Sequence, residues 1–356
     1  MALGWDAARD PCDDAVRAAA GQLRIALREL RGPQSEPRGV TPPVATTGAG
    51  GDADTAIHEA RKALRRARAM GELLRPLAGA DLAGDFVDAV RGARRRLSEA
   101  RDGAVLPAAL RAAWGERLGP DGQREGRPPG SSVAPLRALL ASGTGDVPAR
   151  VEPATVAAIA AALEGARHDL RLLHAAARDA GGDLEPLGRG LRRMHRRAHA
   201  AAAAAAIVGV PDREAGARDG TDRVAVAHAG DPRDDAALHD ARKRFKELGY
   251  VMRWWAPAWR RPIEAWLQEA DALGDLIGAD HDQVVLRSRL AALGGAVDGE
   301  LLAQVLAGSA RRSARLRAKA ARALARLGAE PSGAFVARHV AYMAAARAWR
   351  LRQGSP

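Results

Sequence analysis

Hydrophobic residues recur along most of this chain at intervals of three and four, the spacing that places them on one face of an α-helix. No segment shows the strict alternation of apolar and polar residues that is typical of a half-buried strand. The pattern therefore predicts an all-α fold. The predicted helices lie near residues 12–31, 55–78, 81–101, 103–118, 154–179, 183–209, 234–256, 261–278, 281–293, 297–328 and 332–351. Stretches rich in Pro, Gly and polar residues predict loops at 32–54, 119–132 and 210–232.

A short motif occurs once in each half of the chain. Residues 58–62 read His-Glu-Ala-Arg-Lys, and residues 239–243 read His-Asp-Ala-Arg-Lys. Each copy is followed, after a Leu-rich helix and at nearly the same distance, by a second landmark, Arg101-Asp102 or His281-Asp282. Two landmarks in register predict an internal duplication. The predicted halves are residues 1–180 and 181–356.

Both motifs belong to helices with one basic and one apolar face. On a helical wheel of about 100° per residue, the basic residues gather around the histidine and the apolar residues lie opposite. The basic face of the first copy comprises His58, Arg61, Lys62 and Arg65, flanked by Arg66 and Arg68. That of the second copy comprises His239, Arg242, Lys243 and Lys246. The predicted core faces comprise Ala60, Ala63, Leu64, Ala67, Met70 and Leu74 in the first copy, and Ala241, Phe245, Leu248, Met252 and Trp255 in the second.

The placement of charge favours an anionic partner. The chain carries 55 Lys and Arg residues against 43 Asp and Glu, a net charge of +12. A helix face that is merely solvated usually mixes acids and bases, whereas these stripes are nearly all positive and repel themselves unless an anion neutralises them. Further basic helix faces predict additional anion contacts at Arg24, Arg28, Arg189, Arg192, Arg193, Arg196, Arg197, Arg311 and Arg315.

Several other classes of function are disfavoured. The single cysteine, Cys12, cannot form an internal disulfide, so we expect a cytoplasmic protein. No uncharged apolar run is long enough to predict a membrane span. His195 and His199 share a helix face, but the arginines around them would repel a cation, so we predict no metal site. With no phosphate-loop motif or nucleophile elbow, we expect no enzyme activity and no cofactor. We interpret Asp102 and Asp282 as helix caps or ion-pair partners rather than catalytic acids.

The motif, which reads His-x-x-Arg-Lys-x-x-(Arg/Lys) in two helical halves, resembles the CHAD domain, the conserved histidine α-helical domain. The Arg-rich segment 190–193 and the two landmarks also resemble that family. The resemblance implies two four-helix-bundle-like halves related by a pseudo-twofold axis, which together form one CHAD domain with a basic central pore. Many members also carry a triphosphate-tunnel catalytic domain, but its alternating Glu-x-Glu-x-Lys strand is absent from this sequence.

The resemblance further implies that the ligand is inorganic polyphosphate. Carried over by position, the phosphate-contacting residues would be His58, Arg61, Lys62, Arg65, His239, Arg242, Lys243 and Lys246. Polyphosphate granules and the enzymes of polyphosphate metabolism are the partners and location that this ligand suggests.

Nucleic acid is the main alternative partner. Proteins that bind single strands interleave aromatic side chains on which bases stack. Trp254, Trp255, Trp259 and Trp266 cluster in one segment, but the wheel projects Trp255 and Trp259 to the apolar side, which favours core packing. The basic stripes offer charge without base readout and so suit a polymer without bases. A scaffold that docks acidic protein tails is a third possibility.

Overall fold

The computed structural model describes residues 4–31, 50–77, 80–97, 109–110, 112–113, 153–208, 232–292 and 298–353. Within these residues the regular structure is entirely helical, which confirms the predicted all-α class. The helices are α1 (Pro11–Arg31), α2 (Gly50–Leu74), α3 (Ala80–Arg96), α4 (Pro153–Asp179), α5 (Glu185–Val208), α6 (Pro232–Trp255), α7 (Arg260–Ala292), α8 (Gly299–Leu327) and α9 (Ser332–Gln353), with a 3₁₀ turn at Ala256–Ala258. No described helix is long and apolar enough to cross a membrane.

The predicted break between helices 261–278 and 281–293 is wrong, because α7 continues through it. Gly278 and the acids that follow have low helix propensity, which suggested an end to the helix. Tertiary contacts override that preference. Gly278 lies against the guanidinium of Arg242, and buried Asp280 accepts a hydrogen bond from Nε of Arg317 on α8 at 3.0 Å. Most of the predicted helix 103–118, the landmark Arg101-Asp102 and most of the three predicted loops lie outside the described residues.

The first eight helices of the described part of the chain form two rings of four. In the first ring α1 and α3 each pack against both α2 and α4, and in the second α5 and α7 each pack against both α6 and α8. Helix α2 also contacts α5 and α6, so it joins the rings, while α9 covers α5 and the 3₁₀ turn. The order of contacts around the two rings is the same.

Apolar side chains from both rings form one continuous core. All the residues placed on the core faces of the two motif helices are buried, as the helical wheel predicted. Trp254 and Trp255 are also fully buried, but the prediction for Trp259 is wrong, since half of its surface is exposed. The cause is local: the α-helix ends at Trp255, so helical periodicity does not extend to Trp259, whose backbone is extended.

The turn that connects the rings depends on glycine. Gly181 and Gly182 both have positive φ, 59° and 86°. A residue with a Cβ adopts this backbone conformation only with strain. Arg347 of α9 donates a hydrogen bond from Nη1 to the carbonyl of Gly182 at 2.7 Å, and a Cβ at Gly182 would lie 2.3 Å from Nη2 of the same side chain. The turn is therefore held from outside by the last helix.

Candidate anion-binding surface

The two motif helices, α2 and α6, pack against each other at the junction of the rings. Arg65 on α2 and Lys246 on α6 occupy corresponding positions in the two motifs. The pKa of Lys246 is lowered, first by burial and then by the charges of Arg242 and Arg65. The structure therefore brings basic residues of both motifs within electrostatic range of one another.

Arg94 of α3 belongs to the same group of charges. Burial lowers its pKa, and so do Arg68, Arg65 and Arg61 of α2, in that order. Nε of Arg65 is buried without a hydrogen-bond partner among the described residues. We call this group the central basic cluster; its members are Arg61, Arg65, Arg68, Arg94, Arg242 and Lys246.

Helix α7 supports the α6 side of the cluster through two glycines. Nε of Arg242 donates a hydrogen bond to the carbonyl of Gly274 at 2.8 Å. A Cβ at Gly278 would lie 2.7 Å from Nη2 of Arg242, and one at Gly274 would lie 2.9 Å from Cε of Lys246. The absence of side chains on this strip of α7 lets both cations lie directly on the helix.

Carboxylates neutralise part of the positive charge of the motif helices. Oε1 of Glu247 lies 2.6 Å from Nη2 of Arg68, and both side chains are nearly buried. At the exposed edge, Nζ of Lys62 pairs with Oε1 of Glu59 at 2.9 Å. The motif faces are therefore less uniformly positive than the sequence suggested.

The motif histidines lie at the exposed edge of the cluster. The rings of His239 and His281 are 5.9 Å apart, and the pKa of His239 is lowered by burial, His281, Arg242 and Lys243. Burial raises the pKa of Asp282, while His281 and Arg242 oppose that rise. Asp282 lies within α7, so its interpretation as a helix cap is wrong, and its electrostatic partners are His281 and the motif residue Arg242. His58 is exposed on α2.

The arginines of α5 line a groove that runs toward the start of α9. One depression of about 360 Å³ is lined by Arg189, Arg192, Arg193, Arg196, Arg197 and Ala200. A second, of about 420 Å³, is lined by Arg192, Arg196, His199, Ala200, Ser332 and Gly333. Since Arg192, Arg196 and Ala200 line both depressions, we treat the two as one surface, the α5 groove.

The α5 groove abuts the basic face of α2. A Cβ at Gly190 would lie 1.9 Å from the carbonyl oxygen of Leu73, so the backbones of α5 and α2 are in close contact there. One and two turns further along α5, Arg193 and Arg197 reach Glu72 of α2 at 2.9 and 3.2 Å. Glu72 follows Arg65 on the same face of α2, about 10 Å along the helix axis.

The remaining residues predicted to contact an anion belong to neither the central basic cluster nor the α5 groove. Arg24 and Arg28 are exposed on α1, and Arg28 pairs with Glu29 at 2.7 Å. No contact among the described residues joins either arginine to the central basic cluster. Arg311 and Arg315 lie on α8, which packs against α5 and α7. Arg66 is half-buried beside the basic face of α2.

The sequence did not predict three residues of this surface: Arg94, Glu247 and Glu72. Arg94 belongs to an Arg-rich helix end outside the repeated motif, and only packing shows that it points at α2. Glu247 lies next to Lys246 on α6, and only packing brings it to Arg68 on α2. Glu72 did carry a signal, because it is an acid in register with Arg65 on the basic face of α2.

The two histidines of α5, His195 and His199, lie in different surroundings. His195 is buried, stacks on Phe335 at 4.1 Å and bonds through Nδ1 to the hydroxyl of Ser332 at 2.8 Å. His199 instead lines the α5 groove. Among the described residues, no three His, Cys, Asp or Glu side chains are grouped to hold a metal ion.

Comparison with known proteins identifies the family. The family model described as CHAD domain matches residues 44–291, a span that contains both motif helices, α5 and nearly all of α7. No curated protein and no solved structure matches the chain. The match covers more than half of the sequence and includes both copies of the histidine motif, so this chain belongs to the CHAD domain family.

Proposed function

We propose that this protein binds inorganic polyphosphate without catalysis, through the central basic cluster and the α5 groove. The observation that carries the proposal is the packing of α2 against α6, which crowds Arg65 and Lys246 from the two motifs together. The CHAD domain family is associated with polyphosphate-related proteins. Association with polyphosphate granules in the cytoplasm, or with the enzymes that act on the polymer, would follow from this binding.

Electrostatics supports an anionic ligand for the cluster. Burial and neighbouring cations lower the pKa of Lys246 and Arg94, so charging these groups costs free energy in the unliganded protein. A phosphate chain lying across the cluster would reverse the sign of the local field and stabilise the charged forms. Guanidinium groups also match pairs of phosphate oxygens with forked N–H donors.

We infer that the two rings descend from one duplicated unit. The rings share one order of helix contacts, and Arg65 approaches Lys246, its own counterpart in the other motif. Proximity of corresponding positions is what a twofold relation produces near its axis. The polyphosphate would then cross this axis with one motif on each side.

The aromatic residues favour polyphosphate over single-stranded nucleic acid. Trp254 and Trp255 are fully buried and cannot stack on bases. The residues that line the α5 groove include no Trp, Tyr or Phe. A surface rich in guanidinium groups and poor in stacking platforms suits a polymer of phosphate alone.

A competition titration tests the proposal. Long polyphosphate, orthophosphate, single-stranded DNA and duplex DNA of matched charge compete for the protein at physiological salt. We expect long polyphosphate to bind most tightly and its affinity to fall steeply with salt, because several phosphates release counterions. Equal affinity for orthophosphate and the polymer would contradict an extended site, and tighter binding of DNA would reassign the protein to nucleic acid.

Two triple variants locate the ligand. One changes Arg61, Lys62 and Arg65 to Gln, and the other changes Arg242, Lys243 and Lys246 to Gln. Gln has helix propensity close to that of Lys and Arg, so the helices should persist. Each variant should bind more weakly and with a shallower salt dependence, and the combined variant should lose more than either alone.

A matched control removes the same charge elsewhere. Arg167, Arg171 and Arg178 are exposed on α4, which packs on α1 and α3. Changing these three arginines to Gln should leave affinity within about twofold of the wild type, as surface substitutions away from a site usually do. A control that loses as much affinity as the motif variants would show that only net charge matters.

A further inference from the structure

A carboxylate lies buried among the arginines between the central basic cluster and the α5 groove. Glu72 is 5% exposed, although it lies on the basic face of α2. Its Oε2 contacts Nη2 of Arg193 at 2.9 Å, Nη1 of Arg197 at 3.2 Å and Nε of Arg75 at 3.3 Å. One anion therefore holds three cations, and the group as a whole stays positive.

The contacts fix Arg193 and Arg197 side by side. Arg193 also donates a hydrogen bond to the backbone carbonyl of Glu72, so it is anchored to α2 at two points. The close contact of Gly190 with Leu73 sets the distance between the two helices at this level. Both side chains remain partly exposed, 32% and 44%, and both line the α5 groove.

We propose that Glu72 is a positioning residue for the phosphate ligand, holding Arg193 and Arg197 in place where their side chains line the α5 groove. This inference rests on the proposed function. Each guanidinium has five N–H donors, and Glu72 occupies only some of them. Without the carboxylate, two long side chains that repel each other would have to be ordered at the moment of binding, which weakens binding.

The direction in which one substitution changes polyphosphate affinity distinguishes a positioning role from a purely electrostatic one. Glu72→Gln removes a negative charge from a surface that binds a polyanion, so electrostatic attraction alone predicts tighter binding. Positioning predicts weaker binding, because Gln holds the arginines without charge assistance. We expect Glu72→Gln to lower the affinity for long polyphosphate about tenfold, the effect of freeing two such side chains.

Glu185→Gln is the matched control. Glu185 begins α5 and its exposed carboxylate lies 3.4 Å from Arg189, one of the arginines that line the groove. Among the described residues, its carboxylate pairs with that one arginine, at the surface. Its removal changes the net charge equally and should leave affinity unchanged or slightly raise it.

The experiment measures binding of long polyphosphate to the full-length protein and its variants at several salt concentrations, with helical content checked by circular dichroism. Weaker binding by Glu72→Gln, with a shallower salt dependence than the wild type, supports positioning, because fewer phosphates are engaged despite the higher net charge. Affinity equal to or tighter than the wild type overturns it. Failure of the wild type itself to bind polyphosphate contradicts the proposed function instead.

Two further variants keep the test decisive if Glu72→Gln does not fold. Glu72→Asp keeps the charge and shortens the side chain by one methylene, so positioning predicts weaker binding while charge alone predicts no change. In the double variant Arg193→Gln, Arg197→Gln, changing Glu72 to Asp should have no additional effect on affinity. An undiminished effect in that background would show that Glu72 does not act through the two arginines.

Discussion

A single methyl group on α7 should weaken ligand binding while leaving the fold intact. Gly278→Ala would place a Cβ 2.7 Å from Nη2 and 3.3 Å from Cζ of Arg242, where ordinary contact requires about 3.5–4 Å. The guanidinium must therefore move by roughly 1 Å. It can do so, because it is the end of a flexible side chain, but its hydrogen bond to Gly274 would be stretched.

The effects on stability should nearly cancel. Replacing glycine by alanine inside a helix stabilises the folded state by about 1 kcal/mol. Weakening the hydrogen bond from Arg242 costs about 1 kcal/mol at this partly exposed position. The free energy of unfolding should therefore change by less than about 1 kcal/mol, whereas the displaced arginine loses a phosphate contact that depends on geometry. We expect affinity for long polyphosphate to fall about tenfold, or ~1.4 kcal/mol.

Gly165→Ala on α4 is the control, because nothing lies within 4 Å of the added Cβ. It should raise the free energy of unfolding by about 1 kcal/mol and leave affinity unchanged. Urea unfolding and polyphosphate titration measure the two quantities on the same samples. If Gly278→Ala is stabilised as much as Gly165→Ala and binds as tightly as the wild type, the position of Arg242 on α7 does not contribute to binding.

Two further predictions concern pH. Burial lowers the pKa of His195 and of His339 from 6.5 to about 4, so the unfolded chain binds protons that the folded protein excludes. The free energy of unfolding should therefore fall as pH drops from about 6.5 toward 4, by up to roughly 3 kcal/mol for each histidine. Equal denaturant midpoints at pH 7 and pH 4.5 would contradict this. The lowered pKa of His239 should rise when polyphosphate binds, so affinity should increase as pH falls below about 6.5. Polyphosphate affinities of the wild type and of His239→Gln, measured as a function of pH, should diverge at the acid end. Parallel plots would exclude a role for the His239 imidazole.

The helices were predictable because their apolar periodicity is local. Ala60 and Leu64 on α2 are four residues apart, as are Ala241 and Phe245 on α6, and all four are buried in the structure. The continuity of α7 was not predictable, because it depends on the contact of Gly278 with Arg242 from another helix. A glycine that suggests a helix end in sequence is here the place where a neighbouring cation fits.

The candidate site was predictable in its residue types and not in its arrangement. Repetition of the histidine motif marked Arg65 and Lys246, but their approach to each other follows from the packing of α2 on α6. Glu72 lies in register with the basic residues, and its sequence position gives no sign of the α5 arginines that converge on it. Long-range convergence of this kind requires the tertiary structure.

The electrostatic proximity of Arg65 to its own counterpart Lys246 has a consequence for how the proposed ligand would lie on the site. Polyphosphate has no chemical direction, so the chain reads the same from either end. On the proposed twofold relation, the two sides present their cations in opposite order, so a chain without direction would match both sides equally in either orientation. A nucleic acid strand has a 5′ and a 3′ end and would match only one side at a time. The proposed twofold relation would therefore favour a ligand without polarity.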